Sequence, residues 1–141
     1  MTYALFVVHL TTRAKYVSLE TDAIYLIINK IQQGLYLSVK SNIHEIEISS
    51  ILNLQERAEI FALISKFKSQ HIADSTKLKK RAEDLVKLGF GVADAAHLAY
   101  AENTADAFIA CDEKLLKKSK KEKIHINTYN PVEFVIREDL K

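Results

Sequence analysis

The sequence has little of what disulfide-rich, all-β or membrane-spanning proteins depend on. It has one cysteine, Cys111, so an internal disulfide is excluded and a reducing compartment fits best. Three glycines and one proline are few for a fold with many tight turns. No apolar run approaches the roughly 20 residues that a membrane-spanning helix needs. These absences predict a helix-rich cytoplasmic protein with no membrane segment.

The composition is that of a globular domain. The chain has 141 residues, of which 48% are hydrophobic and 27% charged, and this excludes a disordered or low-complexity chain. The formal net charge of +2 is too balanced to indicate a nucleic-acid partner by itself. We therefore expect a single domain over residues 1–141.

Hydrophobic patterning predicts strands that alternate with helices. Short apolar strands are predicted at 3–8, 35–39, 71–73, 107–110 and 124–126. Helices are predicted at 19–33, 41–49, 53–65, 75–89, 92–103, from 112 onward and from 130 onward. This order argues for an α/β domain of three layers, with a central parallel sheet of four to five strands between helices. Ligands of such folds bind beyond the carboxyl ends of the strands.

The first predicted helix is apolar almost all round between Ala23 and Ile28. A surface helix normally shows one apolar stripe, so this helix is either buried on both sides or faces a partner chain. The pattern predicts a homodimer, and it leaves open a purely structural role as a dimerisation unit.

Two aspartates occupy positions where such a fold carries functional groups. Asp112 directly follows the apolar strand at 107–110, and Asp94 stands in the first turn of a helix. Either residue alone is also explained by helix capping, because a carboxylate at a helix N-terminus accepts backbone N–H groups and suits the helix dipole. The combination of the two, in their surrounding sequence, is more specific.

The segment from Gly89 to Lys118, GFGVADAAHLAYAENTADAFIACDEKLLKK, resembles the C-terminal half of PIN-domain proteins. In that family an Asp opens a helix continuing A-x-H-L-A, and an apolar strand ends in x-x-D before a Lys-Leu-Leu helix. Residues 130–134, NPVEF, resemble the family's closing N-P-x-E-F element. Residues 44–49, HEIEIS, resemble the short helix that supplies a second acid, which by this register is Glu47, with Glu45 as the neighbouring candidate.

PIN domains are metal-dependent ribonucleases, so the resemblance implies an RNA-cleaving enzyme of the toxin type with a cognate antitoxin as partner. It implies that Glu47, Asp94 and Asp112 are the catalytic and metal-binding residues and that they converge in space. Mg²⁺ or Mn²⁺ is the implied cofactor, since these hard ions prefer oxygen ligands. Clustered carboxylates repel one another unless a cation or protons neutralise them.

The first strand departs from the PIN pattern. The family's strand normally ends in an Asp, whereas here it continues as Val7-Val8-His9 and no acid precedes Glu20. The matching position is Val7 or Val8, and we expect Val7→Asp to strengthen metal binding, with Val8→Asp as the control. Ala110 stands where the family commonly has Thr or Ser.

The missing acid predicts weak metal binding and slow or absent cleavage. The alternative is a non-catalytic module that binds nucleic acid or protein and has kept the fold.

Three further residues are weaker candidates for the site. His9 is a candidate substitute ligand, His97 is either close to the site or a core or dimer-interface histidine, and Cys111 is expected to pack at the end of the sheet.

A run of lysines follows Asp112. Four of them are spaced i, i+3, i+4 and i+7 and share one helix face: Lys114, Lys117, Lys118 and Lys121. Such a face beside an acidic site would attract the phosphate backbone of RNA, so these lysines are the candidate nucleic-acid contacts. The alternative is a helix face that is simply solvated.

Overall fold

The computed structural model describes residues 3–8, 17–40, 49, 52–64, 68–69, 76–122 and 124–141. The strands are β1 (Tyr3–Val8), β2 (Tyr36–Lys40), β3 (Lys68–Ser69), β4 (Ala107–Ala110) and β5 (Asn127–Tyr129). The helices are α1 (Val17–Gln32), α2 (Leu54–Ile64), α3 (Thr76–Lys87), α4 (Val92–Thr104), α5 (Glu113–Lys121) and α6 (Pro131–Arg137). The short helix predicted at 41–49 and the strand predicted at 71–73 fall largely or wholly outside the described residues.

The five strands form one parallel sheet in the order β3-β2-β1-β4-β5. β1 lies at the centre, with Leu5 opposite Ala107 and Val8 opposite Ala110 of β4. Because all strands run the same way, their carboxyl ends meet at one edge. The chain first builds outward from β1 to β3 and then returns to build β4 and β5 on the other side. The strand order therefore switches between β1 and β4, where α/β sheets bind ligands.

Helices cover both faces of this sheet. Alternate side chains of a strand point to opposite faces. Phe6 and Phe108 stack on the first face, which α3, α4 and α5 cover, and Leu5 and Ile109 lie on the second, which α1 and α6 cover. The helices close the two cores with Leu85, Leu98 and Leu115 on the first face and with Ile27 and Phe134 on the second. The predicted three-layer α/β/α domain is confirmed.

Helix α1 is covered by its own chain. Ala23, Ile24, Ile27 and Ile28 are all buried, and the helix packs against α6 and β2. Tyr25 faces outward and is 55% exposed. The apolar stretch that predicted a homodimer is therefore used mainly inside the protomer, so it no longer requires a partner chain.

Two helices begin where side-chain caps predict. The Asp112 Oδ1 atom accepts the backbone N–H of Leu115 at 3.1 Å and opens α5. The Asn130 Oδ1 atom accepts the backbone N–H of Glu133 at 2.7 Å, and Pro131 occupies the first turn of α6. Each cap satisfies an N–H group that the helix itself leaves without a partner.

The strand predicted at 124–126 is wrong, because β5 is formed by Asn127–Tyr129. The backbone N–H of His125 donates to the Glu102 Oε2 atom at 2.7 Å and so is not used in a strand ladder. The first pair of the β4–β5 ladder joins Asn127 to Ala107, the first residue of β4, so the residues before Asn127 have no partner in that strand.

Glu102 joins three parts of the chain at the amino edge of the sheet. Arg81 of α3 donates to both carboxylate oxygens of Glu102 in α4, at 2.8 and 3.0 Å. The Glu102 side chain is 7% exposed. Burial raises the pKa of Glu102, but the hydrogen bonds from Arg81 and from the His125 backbone, together with the Arg81 charge, lower the pKa by more.

We expect Arg81→Met to lower the free energy of unfolding by about 3 kcal/mol at neutral pH, because it leaves the Glu102 carboxylate buried without its cation. The lowered pKa of Glu102 means that the unfolded state binds more protons just below the ordinary value of 4.5. The contribution of the Arg81–Glu102 pair to the free energy of unfolding is therefore complete above pH 4.5, and it disappears as the pH falls through the pKa of Glu102 in the folded state. Urea denaturation at several pH values measures both effects.

The control is Lys120→Met, which removes the partner of Glu133 in an exposed pair with an N–O distance of 3.1 Å. Exposed pairs contribute up to about 1 kcal/mol, so this variant should remain close to the wild type. Equal losses in the two variants, or a loss for Arg81→Met that persists in acid, would contradict this account of the Glu102 cluster.

Candidate functional site

Asp112 stands at the carboxyl edge of the sheet. β4 ends at Ala110, and Cys111 connects it to Asp112, the N-cap of α5. Because the cap uses Oδ1, Oδ2 is the oxygen of Asp112 that could ligate a cation. The cap also fixes the direction of the carboxylate, so the sequence orients this group locally.

Asp94 belongs to a helix that begins at the same edge. The C-terminus of α4 leads through Ala105 and Asp106 directly into β4, so that end of the helix lies at the amino edge. Its 13 residues extend about 20 Å back toward the carboxyl edge. Asp94 lies half-buried in the first turn, and its Oδ2 atom turns back toward Gly91, 3.9 Å from where a Cβ on that glycine would stand. The carboxylate thus lies near the helix start.

The structure brings Asp94 and Asp112 to one face and one edge of the sheet. Their helices, α4 and α5, pack on the first face in a single core, to which Leu98 and Leu115 contribute. Asp112, the N-cap of α5, stands two residues after β4 ends, and α4 packs against both β1 and β4, the strands between which the order switches. The third predicted acid, Glu47, lies outside the described residues.

Among the described residues, the candidate metal centre contains two carboxylates, those of Asp94 and Asp112. Within the described ranges, no group of three His, Cys, Asp or Glu side chains is placed to hold a metal ion. Glu45 and His9, the other candidate ligands, lie outside those ranges, as Glu47 does. Two carboxylates suit a hard cation such as Mg²⁺, which usually keeps several waters and takes one or two protein carboxylates.

Val7 lies on the wrong face to complete this centre. Its side chain is 4% exposed and packs in the second-face core with Ile27 and Phe134. A carboxylate at Val7 would be buried among apolar side chains, away from α4 and α5, so the expected gain in metal binding at Val7 is not supported. Val8, opposite Ala110, is the residue of β1 nearest the carboxyl edge.

His97 and Cys111 have packing positions. His97 is fully buried on α4, with its ring centre 5.6 Å from that of Phe6 in an edge-to-face arrangement. The interpretation of His97 as a core histidine is confirmed. Cys111 is partly buried directly after β4, as expected for a residue at the sheet end.

The predicted lysine face of α5 is present. The buried residues of this helix are Leu115, Leu116 and Ser119, and the four lysines project from the opposite side. Lys114, Lys117 and Lys121 are exposed, whereas Lys118 is half-buried.

Lys118 has a role that sequence reasoning missed. Its Nζ atom lies 5.8 Å from the centre of the Phe90 ring, in a cation–π arrangement at the turn that leads into α4. Gly89 in that turn has φ +103°, and an added Cβ would stand 2.5 Å from the same Nζ atom. Lys118 thus links α5 to the start of α4. The sequence shows only a lysine and, far from it, the G-F-G at residues 89–91, and this pattern does not predict a contact between them.

Comparison with solved structures shows a shared fold. The chain is similar to the crystal structure of PAE2754 from Pyrobaculum aerophilum, with a TM-score of 0.56 and 14% identity, over 97% of each chain. At this identity the likeness shows the fold alone. No protein-family model and no curated protein matches the sequence. Among the described residues, no helix is long and apolar enough to cross a membrane.

Replacing Val7 or Val8, the last two residues of β1, by aspartate tests which position could supply a further carboxylate to the site. Val7→Asp should lower the free energy of unfolding by about 3 kcal/mol or more, because it buries an unpaired carboxyl group. Val8→Asp should remain folded and bind Mn²⁺ more tightly than the wild type, since more ligand charge at the edge raises affinity. Thermal denaturation and calorimetric titration measure the two effects. A folded Val7→Asp variant with stronger Mn²⁺ binding would contradict this placement.

Proposed function

We propose that this protein is a PIN-domain ribonuclease of the toxin type with an incomplete acidic site, which binds Mg²⁺ or Mn²⁺ weakly and cleaves RNA slowly or not at all. The observation that carries the proposal is the position of Asp94 and Asp112 on one face and one edge of a parallel sheet, at the switch in strand order. The sequence resemblance supports the same two residues. A cytoplasmic location and a cognate antitoxin partner belong to the same proposal.

In this proposal Asp94 and Asp112 hold the cation through their carboxylate oxygens, with Glu47 assisting. The bound cation would activate a water and stabilise charge on the scissile phosphate. Asp112 presents Oδ2 because its Oδ1 accepts the N–H of Leu115. With Val8 in place of an acid at the end of β1, fewer ligand oxygens surround the cation and less of its charge is balanced.

The lysine face would hold the RNA. α5 begins at Asp112, so its exposed lysines extend from the candidate centre along the surface of the first face. Phosphate contacts by lysine position a nucleic acid without selecting its sequence. Lys114, Lys117 and Lys121 are free to extend toward phosphates, whereas Lys118 packs over Phe90.

A non-catalytic binding module is the second candidate function. One observation favours it, the apolar end of β1. Val7 is buried in the core, and neither Val7 nor Val8 has a side-chain oxygen that could ligate a cation. Such a module would keep the fold and bind nucleic acid or protein without cleaving RNA. Metal binding separates the two candidates more directly than cleavage does, since the first requires a cation even when turnover is slow.

Neutralising either aspartate should remove metal binding without unfolding the protein. We expect Asp94→Asn and Asp112→Asn each to weaken Mn²⁺ binding at least tenfold, about 1.4 kcal/mol, in calorimetric titration. Asn caps helices about as well as Asp, so Asp112→Asn should keep its cap to Leu115 and nearly all its stability. Any RNA cleavage by the wild type should fall with the metal affinity.

The matched control is Asp139→Asn. Asp139 is exposed after α6, and its φ of 51° is one that Asn adopts readily. Its replacement should leave Mn²⁺ affinity unchanged. A wild type that binds no Mn²⁺, or whose affinity is the same in all three variants, would rule out the Asp94–Asp112 centre and favour the non-catalytic module.

The lysine face can be tested by its salt dependence. Replacing Lys114, Lys117 and Lys121 by Gln should weaken binding of single-stranded RNA and reduce the slope of log affinity against log salt by about 2, since each phosphate contact contributes about 0.7. The control replaces three exposed lysines of α3: Lys77, Lys79 and Lys80. Fluorescence anisotropy with a labelled RNA measures both. Equal slopes for the two triple variants would identify the α5 lysines as a solvated face.

A further inference from the structure

The turn at residues 89–91 ends α3 and leads into α4. The backbone N–H of Phe90 donates to the Leu85 carbonyl at 3.2 Å, and that of Gly89 donates to the Val86 carbonyl at 2.9 Å. These two bonds, with Gly89 at φ +103°, form a Schellman motif. Phe90 and Leu85 are both buried in the first-face core. We call residues 89–91 the α4 entry turn.

Lys118 of α5 contacts the first two residues of this turn. Its Nζ atom lies 5.8 Å from the centre of the Phe90 ring and 2.5 Å from where a Cβ on Gly89 would stand. The negative face of an aromatic ring attracts a cation that lies over it. Gly89 suits this position for two reasons, because its positive φ disfavours a side chain and because the Lys118 amine occupies the space that a side chain would need.

The other end of the α4 entry turn lies beside Asp94. The Asp94 Oδ2 atom is 3.9 Å from where a Cβ on Gly91 would stand. The backbone N–H of Ala95 donates to the Gly91 carbonyl at 2.8 Å, and this is the first hydrogen bond of α4. Lys118 and Asp94 thus lie against opposite ends of a turn of three residues, so a displacement of the turn would also move the Asp94 carboxylate.

The spacing of Asp94 and Asp112 depends on how α4 lies relative to α5. Both helices pack on β4, but they share little direct contact with each other. The cap from Asp112 to Leu115 fixes one carboxylate to the start of α5. Lys118 supplies a contact that ties the same helix directly to the α4 entry turn, and hence to the start of the helix that carries the other carboxylate.

We infer that Lys118 is a positioning residue, which holds the α4 entry turn against α5 and so sets the spacing of the Asp94 and Asp112 carboxylates. Its effect on a bound cation rests on the proposed function, whereas its contact with the turn does not. The inference separates Lys118 from the exposed lysines of the same helix face, because an amine that packs over Phe90 is not extended toward RNA.

Calorimetric titration of the full chain with Mn²⁺ tests the effect on the cation. Lys118→Met keeps a long apolar side chain against Phe90 and a similar helix propensity, but it loses the charge. It should weaken Mn²⁺ binding at least about threefold. The sign is informative, because removal of a positive charge by itself favours a nearby cation. Lys118→Arg keeps a cation over the ring and should restore most of the affinity.

Two further variants isolate the contact with the ring. In a Phe90→Leu background, Lys118→Met should have little additional effect on Mn²⁺ affinity, because the two changes remove the same contact. The matched control is Lys120→Met, which makes the same charge change on the same helix at an exposed lysine that pairs with Glu133. Its Mn²⁺ affinity should equal or slightly exceed that of the wild type. Thermal denaturation checks that every variant is folded.

Amide hydrogen exchange without metal, followed by NMR, measures the turn itself. The amides of Phe90 and Ala95 form the bonds that close the α4 entry turn and begin α4. Both should exchange faster in Lys118→Met than in the wild type or in Lys120→Met, because local opening becomes easier when a contact on the turn is lost. Lys118→Arg should return the exchange rates to those of the wild type.

Several results would overturn the inference. Unchanged Mn²⁺ affinity in Lys118→Met, beside a wild type that binds Mn²⁺, would show that Lys118 does not position the carboxylates. Unchanged exchange rates would show that it does not hold the turn. An equal loss in Lys118→Arg or in Lys120→Met would show that a cation over Phe90 is not the cause. A wild type that binds no Mn²⁺ would reject the cation centre of the proposed function, and the exchange rates alone would then decide whether Lys118 holds the turn.

Discussion

The pairing of β1 with β4 is the interaction on which the rest of the structure depends. Phe6 and Phe108 stack on the first face, with ring centres 5.8 Å apart, while Leu5 and Ile109 lie on the second. These two strands thus contribute to both cores at once. β2 and β3 lie on one side of β1, and β4 pairs with its other side. The strand order therefore switches between β1 and β4. Asp112 emerges directly from the end of this pair.

The helix that carries Asp94 is held near both ends by different kinds of contact. At the amino edge, Arg81 and the His125 backbone hold the buried Glu102 carboxylate near the end of α4. At the carboxyl edge, Lys118 of α5 packs over Phe90 just before α4 begins. A functional side chain performs best on an element whose own position is fixed by packing and hydrogen bonds. The two contacts therefore fix the helix that presents Asp94 beside the start of α5.

Features determined by neighbouring residues could be predicted from the sequence, and those determined by distant contacts could not. The bounds of β1 and the cap at Asp112 follow from local patterns, and the structure has both. The start of β5 was misplaced because its register is set by pairing with β4, where Asn127 lies opposite Ala107, and local apolar pattern does not reveal that register. The choice between Val7 and Val8 depended on which face β1 turns to α1, and apolar periodicity alone did not show which face that is.

The central claim is that Asp94 and Asp112 form one cation site at the switch between β1 and β4. The most direct test is anomalous X-ray diffraction from crystals of the full chain grown with MnCl₂, recorded at the manganese absorption edge. The account predicts an anomalous peak within coordination distance, about 2.1 Å for such hard ions, of oxygens of both carboxylates. Carboxylates too far apart to share an ion, or manganese bound only elsewhere on the surface, would contradict it.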